Sequence, residues 1–81
     1  MDQPVYVTMR PVFNKKVLRP SLPVRVEGID DEGDRIDGYY LVRHCEYETL
    51  RLTDAYGSSL EIHISAVLRE KDKTMITLLE S

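Results

Sequence analysis

Three short runs of alternating apolar and polar residues constrain this chain more than any other feature. Leu50 and Leu52 flank Arg51; Leu60, Ile62 and Ile64 are separated by Glu61 and His63; Val24 and Val26 are separated by Arg25. A period of two puts one set of side chains on a buried face and the other in water, which is the mark of half-buried antiparallel strands. The expected fold class is mainly β, on a scale that suits binding and assembly.

The first quarter reads differently. Prolines at 4, 11, 20 and 23 exclude a continuous helix there, because each removes a backbone donor and restricts the residue before it. Residues 1–21 are therefore expected to form an arm and residues 22–81 the domain proper. Within the arm Val5, Val7 and Met9 alternate with Tyr6 and Thr8 as in a short edge strand. Val12, Phe13, Val17 and Leu18 would pack on the main body, with a short helix near residues 14–18.

Strands are expected over 22–29, 35–44, 49–53, 59–64 and 74–79. Asp30-Asp31-Glu32-Gly33-Asp34 has the residues of a hairpin loop, and Asp54 to Ser58 forms another turn, with Gly57 suited to positive φ. In the second of these strands Ile36, Tyr40 and Val42 point one way and Tyr39 and Leu41 the other, so both faces should meet protein. Gly38 would allow it to bend and serve two regions of sheet. Residues 65–68 should make a 3₁₀-like turn capped by Ser65.

At 81 residues the chain is one domain near the lower limit for a single apolar core, with 42% hydrophobic and 31% charged residues. No apolar run approaches the roughly 18 residues needed to span a bilayer. The N-terminus lacks a signal pattern, and the lone Cys45 has no internal disulfide partner, so a cytoplasmic protein is expected. The net charge of −3 is unevenly spread. Residues 1–26 hold five bases against one acid, a net of +4, and residues 27–37 hold six acids against one base, a net of −5. Such polarity either steers a partner or is compensated within the molecule.

Familiar chemistry is missing from the pattern. Asp30, Asp31, Glu32 and Asp34 suggest calcium, but Gly33 is fourth rather than sixth in the run and the twelfth position is Leu41, so the EF-hand spacing fails. His44 and Cys45 are adjacent in a strand and point to opposite faces, which prevents joint ligation of one ion. No Gly-x-Ser-x-Gly elbow surrounds a serine and no glycine-rich loop could cradle phosphate. Tyr39, Tyr40, Tyr47 and Tyr56 fall near acids, the wrong interleaving for stacking bases. No enzyme activity, metal or cofactor is expected.

Five strands with a glycine in the second, and one helical turn between the last two, resemble the Sm-like and SH3-like small barrels. Ile64-Ser65-Ala66-Val67 resembles the Ile-Ser-x-Val that closes the fourth strand in the bacterial Hfq branch. Leu-Arg-Leu-Thr-Asp at 50–54 and Glu-Ile-His-Ile at 61–64 are similar to the YolD-like family of uncharacterised bacterial and phage proteins. The resemblance implies a five-stranded, strongly bent antiparallel barrel carrying the proline-punctuated arm. It does not carry over the RNA site: Glu61 and Ile62 stand where the Hfq branch has Lys-His, and His44 and Glu48 lie nearest the Asp and Asn of RNA-binding Sm proteins.

The leading expectation is a non-enzymatic interaction or assembly module that forms homo-oligomers through its last two strands, carried by Leu60, Ile62, Ile64, Ile76 and Leu78. Arg10, Lys15, Lys16 and Arg19 would contact the acidic hairpin of a neighbour, or phosphates if the chain is instead an Sm-type nucleic-acid-binding regulator. A small acidic phage-type inhibitor of a host protein is the third reading. No membrane partner is expected.

Overall fold

The computed structural model describes residues 5–30 and 32–79. Eight elements follow one another: β1 (Tyr6–Val7), β2 (Val12–Phe13), β3 (Pro23–Ile29), β4 (Arg35–Cys45), β5 (Thr49–Thr53), β6 (Ser59–His63), α1 (Ile64–Leu68) and β7 (Met75–Leu78). β1 and β2 pair as a small hairpin, and the other strands form one antiparallel sheet in the order β6-β5-β4-β3-β7. Among the described residues no ladder joins β6 to β7, so the sheet does not close by strand pairing.

The alternating runs form the strands they suggest. Leu50, Leu52, Ile62, Val24 and Val26 are buried, while Arg51, Glu61 and His63 are exposed. β4 shows why a strand of 11 residues forms: it pairs with β3 over 35–41 and with β5 over 41–45. Gly38 keeps regular register with Val26, and the irregularity falls instead between Val42 and His44, where Arg43 is extra. Ile36, Tyr40 and Val42 face the core as expected, but Tyr39 and Leu41 face solvent, 67% and 45% exposed. Only one face of β4 meets protein.

The glycine that the packing depends on is Gly28. A Cβ there would stand 2.7 Å from both Cα and Oγ1 of Thr74, itself buried, so β3 and the entry to β7 meet at a contact only glycine permits.

The arm belongs to the core. Phe13 and Leu18 are each 1% exposed and lie in one cluster with Leu22, Val24, Val42, Leu50 and Ile62. Leu18 N–H donates to the Asn14 carbonyl at 3.0 Å, but the segment is a turn rather than the expected short helix. Ser21, at φ 71°, turns the chain so that its N–H reaches the Val42 carbonyl at 2.7 Å and the Leu22 carbonyl accepts from Val42 N–H at 2.9 Å. Residues 64–68 form a short α-helix rather than a 3₁₀ turn, and its cap is His63, whose Nδ1 accepts from Ser65 N–H at 3.1 Å, not Ser65.

Candidate functional site

The arm and the β4–β5 turn build a cationic surface around one ring. Phe13 N–H donates to the Tyr47 carbonyl at 2.7 Å, which holds the turn against β2. The Arg10 guanidinium then lies 5.6 Å from the Tyr47 ring centroid and the Lys15 ammonium 5.0 Å from it. Both distances are within cation–π range. Sequence neighbours had placed Tyr47 among acids; the fold brings two cations to it, which corrects the expected interleaving. Lys16 is exposed, with its N–H on Asn14 Oδ1 at 3.1 Å. Arg19 is exposed and has an interaction partner of its own. Among the described residues no ion pair involves Arg10, Lys15 or Lys16.

Two ionisable groups sit beside this surface. The Glu46 carboxyl is held below its ordinary range by its hydrogen bond to His44, then by the charge of His44, with a smaller contribution from Lys15. Burial pushes the Cys45 thiol up, against a lowering by Lys15. His44 is exposed while Cys45 faces the core, the opposed orientation expected of strand neighbours.

At the other end of β4 stands the acidic hairpin. Asp30 Oδ1 accepts from Glu32 N–H at 3.0 Å and Asp34 N–H at 2.8 Å, with Gly33 at φ 87°. Oxygens of Asp30, Glu32 and Asp34 lie within 4.8 Å of one another; Asp31 lies outside the described residues. The β5–β6 turn repeats this geometry. Asp54 Oδ1 accepts from Tyr56 and Ser58 N–H, both at 2.9 Å, and Gly57 has φ 84°. In each loop the Asp N–H donates to the fifth residue's carbonyl and the Gly N–H to the Asp carbonyl. The loop thus needs Asp and Gly three residues apart, a shared signature legible in the sequence and missed there. It forms without the acids of 31, 32 and 34, which add only charge.

The two poles do not meet. The acidic loop precedes the first residue of β4 and Tyr47 follows its last, while Arg25 pairs with Glu27 at 2.5 Å and Asp37 at 3.0 Å along the strands between. Arg25 therefore compensates acids locally. Among the described residues Arg10, Lys15 and Lys16 form no such ion pair.

No family model, curated protein or solved structure matches the chain. What its surfaces can do is therefore read from their geometry alone.

β6 and β7 are the two ends of the sheet, as expected of the last two strands. The side chains expected to carry contacts turn inward, however: Ile62 and Ile64 are buried, and Leu60, Ile76 and Leu78 are half-buried against the core. The edges themselves differ. β6 presents Ser59, Glu61 and His63, with Glu61 paired to Arg51 at 3.0 Å, and Ile64 N–H after it is taken by the Glu48 carbonyl. β7 presents Met75 and Thr77, followed by Leu79, with no charge among them. Between the acidic hairpin and β6 lies a cavity of about 250 Å³ lined in part by Asp30, Glu61, His63 and Arg69, the last donating to the Ile29 carbonyl at 3.1 Å.

His63 and Ser65 form the one serine–histidine contact among the described residues, Nδ1 to Oγ at 3.0 Å. The same nitrogen accepts from the Ser65 backbone, so this lone pair serves the helix cap.

Proposed function

We propose that the chain is a non-enzymatic protein-interaction module that assembles into homo-oligomers through its sheet edges. The observation that carries this reading is the outer edge of β7, which has no strand partner among the described residues. Leu79 N–H donates to the Pro23 carbonyl and Thr74 N–H turns away from β3 to Ala66. In an antiparallel ladder the direction of these groups alternates residue by residue, so Ile76 and Leu78 also direct N–H and C=O away from β3. Such a row of outward donors and acceptors, unpaired among the described residues, is a template for another strand. The finer fold reading is a small barrel of Sm-like or SH3-like type. It is supported by the pairing of β3 with β7 and by α1 lying between β6 and β7.

Sedimentation equilibrium from micromolar to millimolar chain tests the reading, with mass rising above that of one chain as the expected result. A single-chain mass at every concentration overturns it.

A second reading, Sm-type contact with nucleic acid through Arg10, Lys15, Lys16 and Arg19, is favoured by the two cations at Tyr47. It requires RNA binding that weakens with salt and is lost when these four are replaced by alanine. Unchanged chain mass in the presence of RNA at low salt rejects it.

A further inference from the structure

We infer that the partner of the β7 edge is the β7 edge of a second copy, joined by a two-fold axis through Thr77; this rests on the self-association proposed above. β7, four residues long, lacks two of the devices by which strands at sheet ends usually avoid one another. From Met75 to Leu79 it carries no charge and no proline, whereas β6 presents Glu61 and runs into α1. Its outward backbone groups, unpaired among the described residues, are self-complementary. With Ile76 and Leu78 both directed outward, an antiparallel copy exchanges the most N–H···O=C bonds in the register that sets Ile76 opposite the partner's Leu78 and Leu78 opposite its Ile76, which puts Thr77 opposite its own copy in a non-hydrogen-bonded pair.

The outer face supplies an independent observation. Met75 and Leu79 are 56% and 42% exposed, and they stand two residues either side of Thr77. The same axis brings each Met75 opposite the partner's Leu79, so both apolar side chains are covered at once. Self-complementarity of this kind is what an isologous contact requires. A groove of about 380 Å³ lies where Met75 and Ile76 meet Val5, Tyr6 and Val67. The result is a continuous ten-stranded sheet across two copies. A contact of one short strand is small, so the dimer forms and dissociates with concentration.

Disulfide trapping tests the register. Non-hydrogen-bonded antiparallel partners have Cα atoms about 4.5 Å apart, within disulfide range. Thr77→Cys oxidised mildly at high concentration should become mostly a covalent dimer. Met75→Cys alone should not, since the two copies would be separated by about 14 Å along the strand. An equimolar mixture of Met75→Cys and Leu79→Cys should cross-link as the heterodimer. Cys45 is 6% exposed, and the unmodified chain under the same oxidant measures its background. If the unmodified chain associates but Thr77→Cys gains no covalent dimer over Met75→Cys, the axis is wrong and the assembly reading stands. If the unmodified chain remains single at every concentration and Thr77→Cys fails to cross-link, both fall.

Discussion

Replacing Phe13 by alanine separates an arm that merely lies on a sheet from one that completes its core. Phe13 is 1% exposed, among the largest fully buried side chains, and its backbone holds the Tyr47 turn. Removing a buried phenyl ring costs about 3–5 kcal/mol, from lost transfer energy and the cavity left behind. An 81-residue domain has about 4–12 kcal/mol in all, at roughly 0.05–0.15 kcal/mol per residue. The substitution therefore removes a quarter or more of the total stability. In a urea titration followed by far-ultraviolet circular dichroism, a slope of about 1 kcal/mol per molar converts that loss to a midpoint lower by about 3–5 M. Val7→Ala, in the same arm but 40% exposed, should stay within about 0.5 kcal/mol. A Phe13→Ala cost under about 1 kcal/mol would refute the view that residues before 22 are structural.

Gly28→Ala should destabilise by about 1–3 kcal/mol, because the clash is with the Thr74 backbone as well as its side chain; chemical denaturation within 0.5 kcal/mol of the parent would contradict the close approach. Asp54→Ala and Asp30→Ala remove equivalent loop acceptors. Each should cost about 1 kcal/mol by lost hydrogen bonds, with Asp30→Ala the milder because it also relieves repulsion from Glu32 and Asp34. The Cys45 pKa is raised in the fold, so the thiol's contribution is fully present below its unfolded pKa near 9.0 and is lost as pH rises through the folded value. Melting temperature should therefore fall more steeply above pH 9 in the parent than in Cys45→Ala, and parallel slopes would remove burial as the cause.

The strands and both aspartate loops were legible because their signals are local: alternation needs only neighbours, and an Asp carboxylate reaches donors two and four residues on. What escaped the sequence depends on distant pairs. Tyr47 meets Arg10 and Lys15 only because Phe13 is drawn into the core and carries the arm across the turn. The bulge at Arg43 arises where β4 passes from β3 to β5, and Gly38 lies where the ladder is still regular. Gly28 did leave a trace. It occupies the inward phase set by Val24 and Val26, and a glycine where a core side chain is due marks another backbone close by. His63 had the exposed strand position assigned to it, but its second role depends on α1 beginning one residue later, which alternation cannot register.

Charge reversal decides between two ways in which copies of this chain could meet. Basic arm to acidic hairpin is a head-to-tail contact, because the poles lie at opposite ends of β4. It would use Lys15 and Lys16 directly and weaken as salt is added. The two-fold pairing at β7 does not use them: β4 is separated from β7 by β3, so β4 strands of the two copies are five strand spacings, about 24 Å, apart. The antiparallel axis puts the basic pole of one copy at the same end of the joined sheet as the acidic loop of the other. At that spacing, about three Debye lengths in physiological salt, the two act independently. Lys15→Glu with Lys16→Glu should therefore leave the sedimentation mass unchanged at an ionic strength of about 0.15 M, where the Debye length is about 8 Å. Dissociation of the double variant at that ionic strength would place the contact at the arm and sink the β7 axis, while an unchanged mass leaves Lys15 and Lys16 available to a different partner.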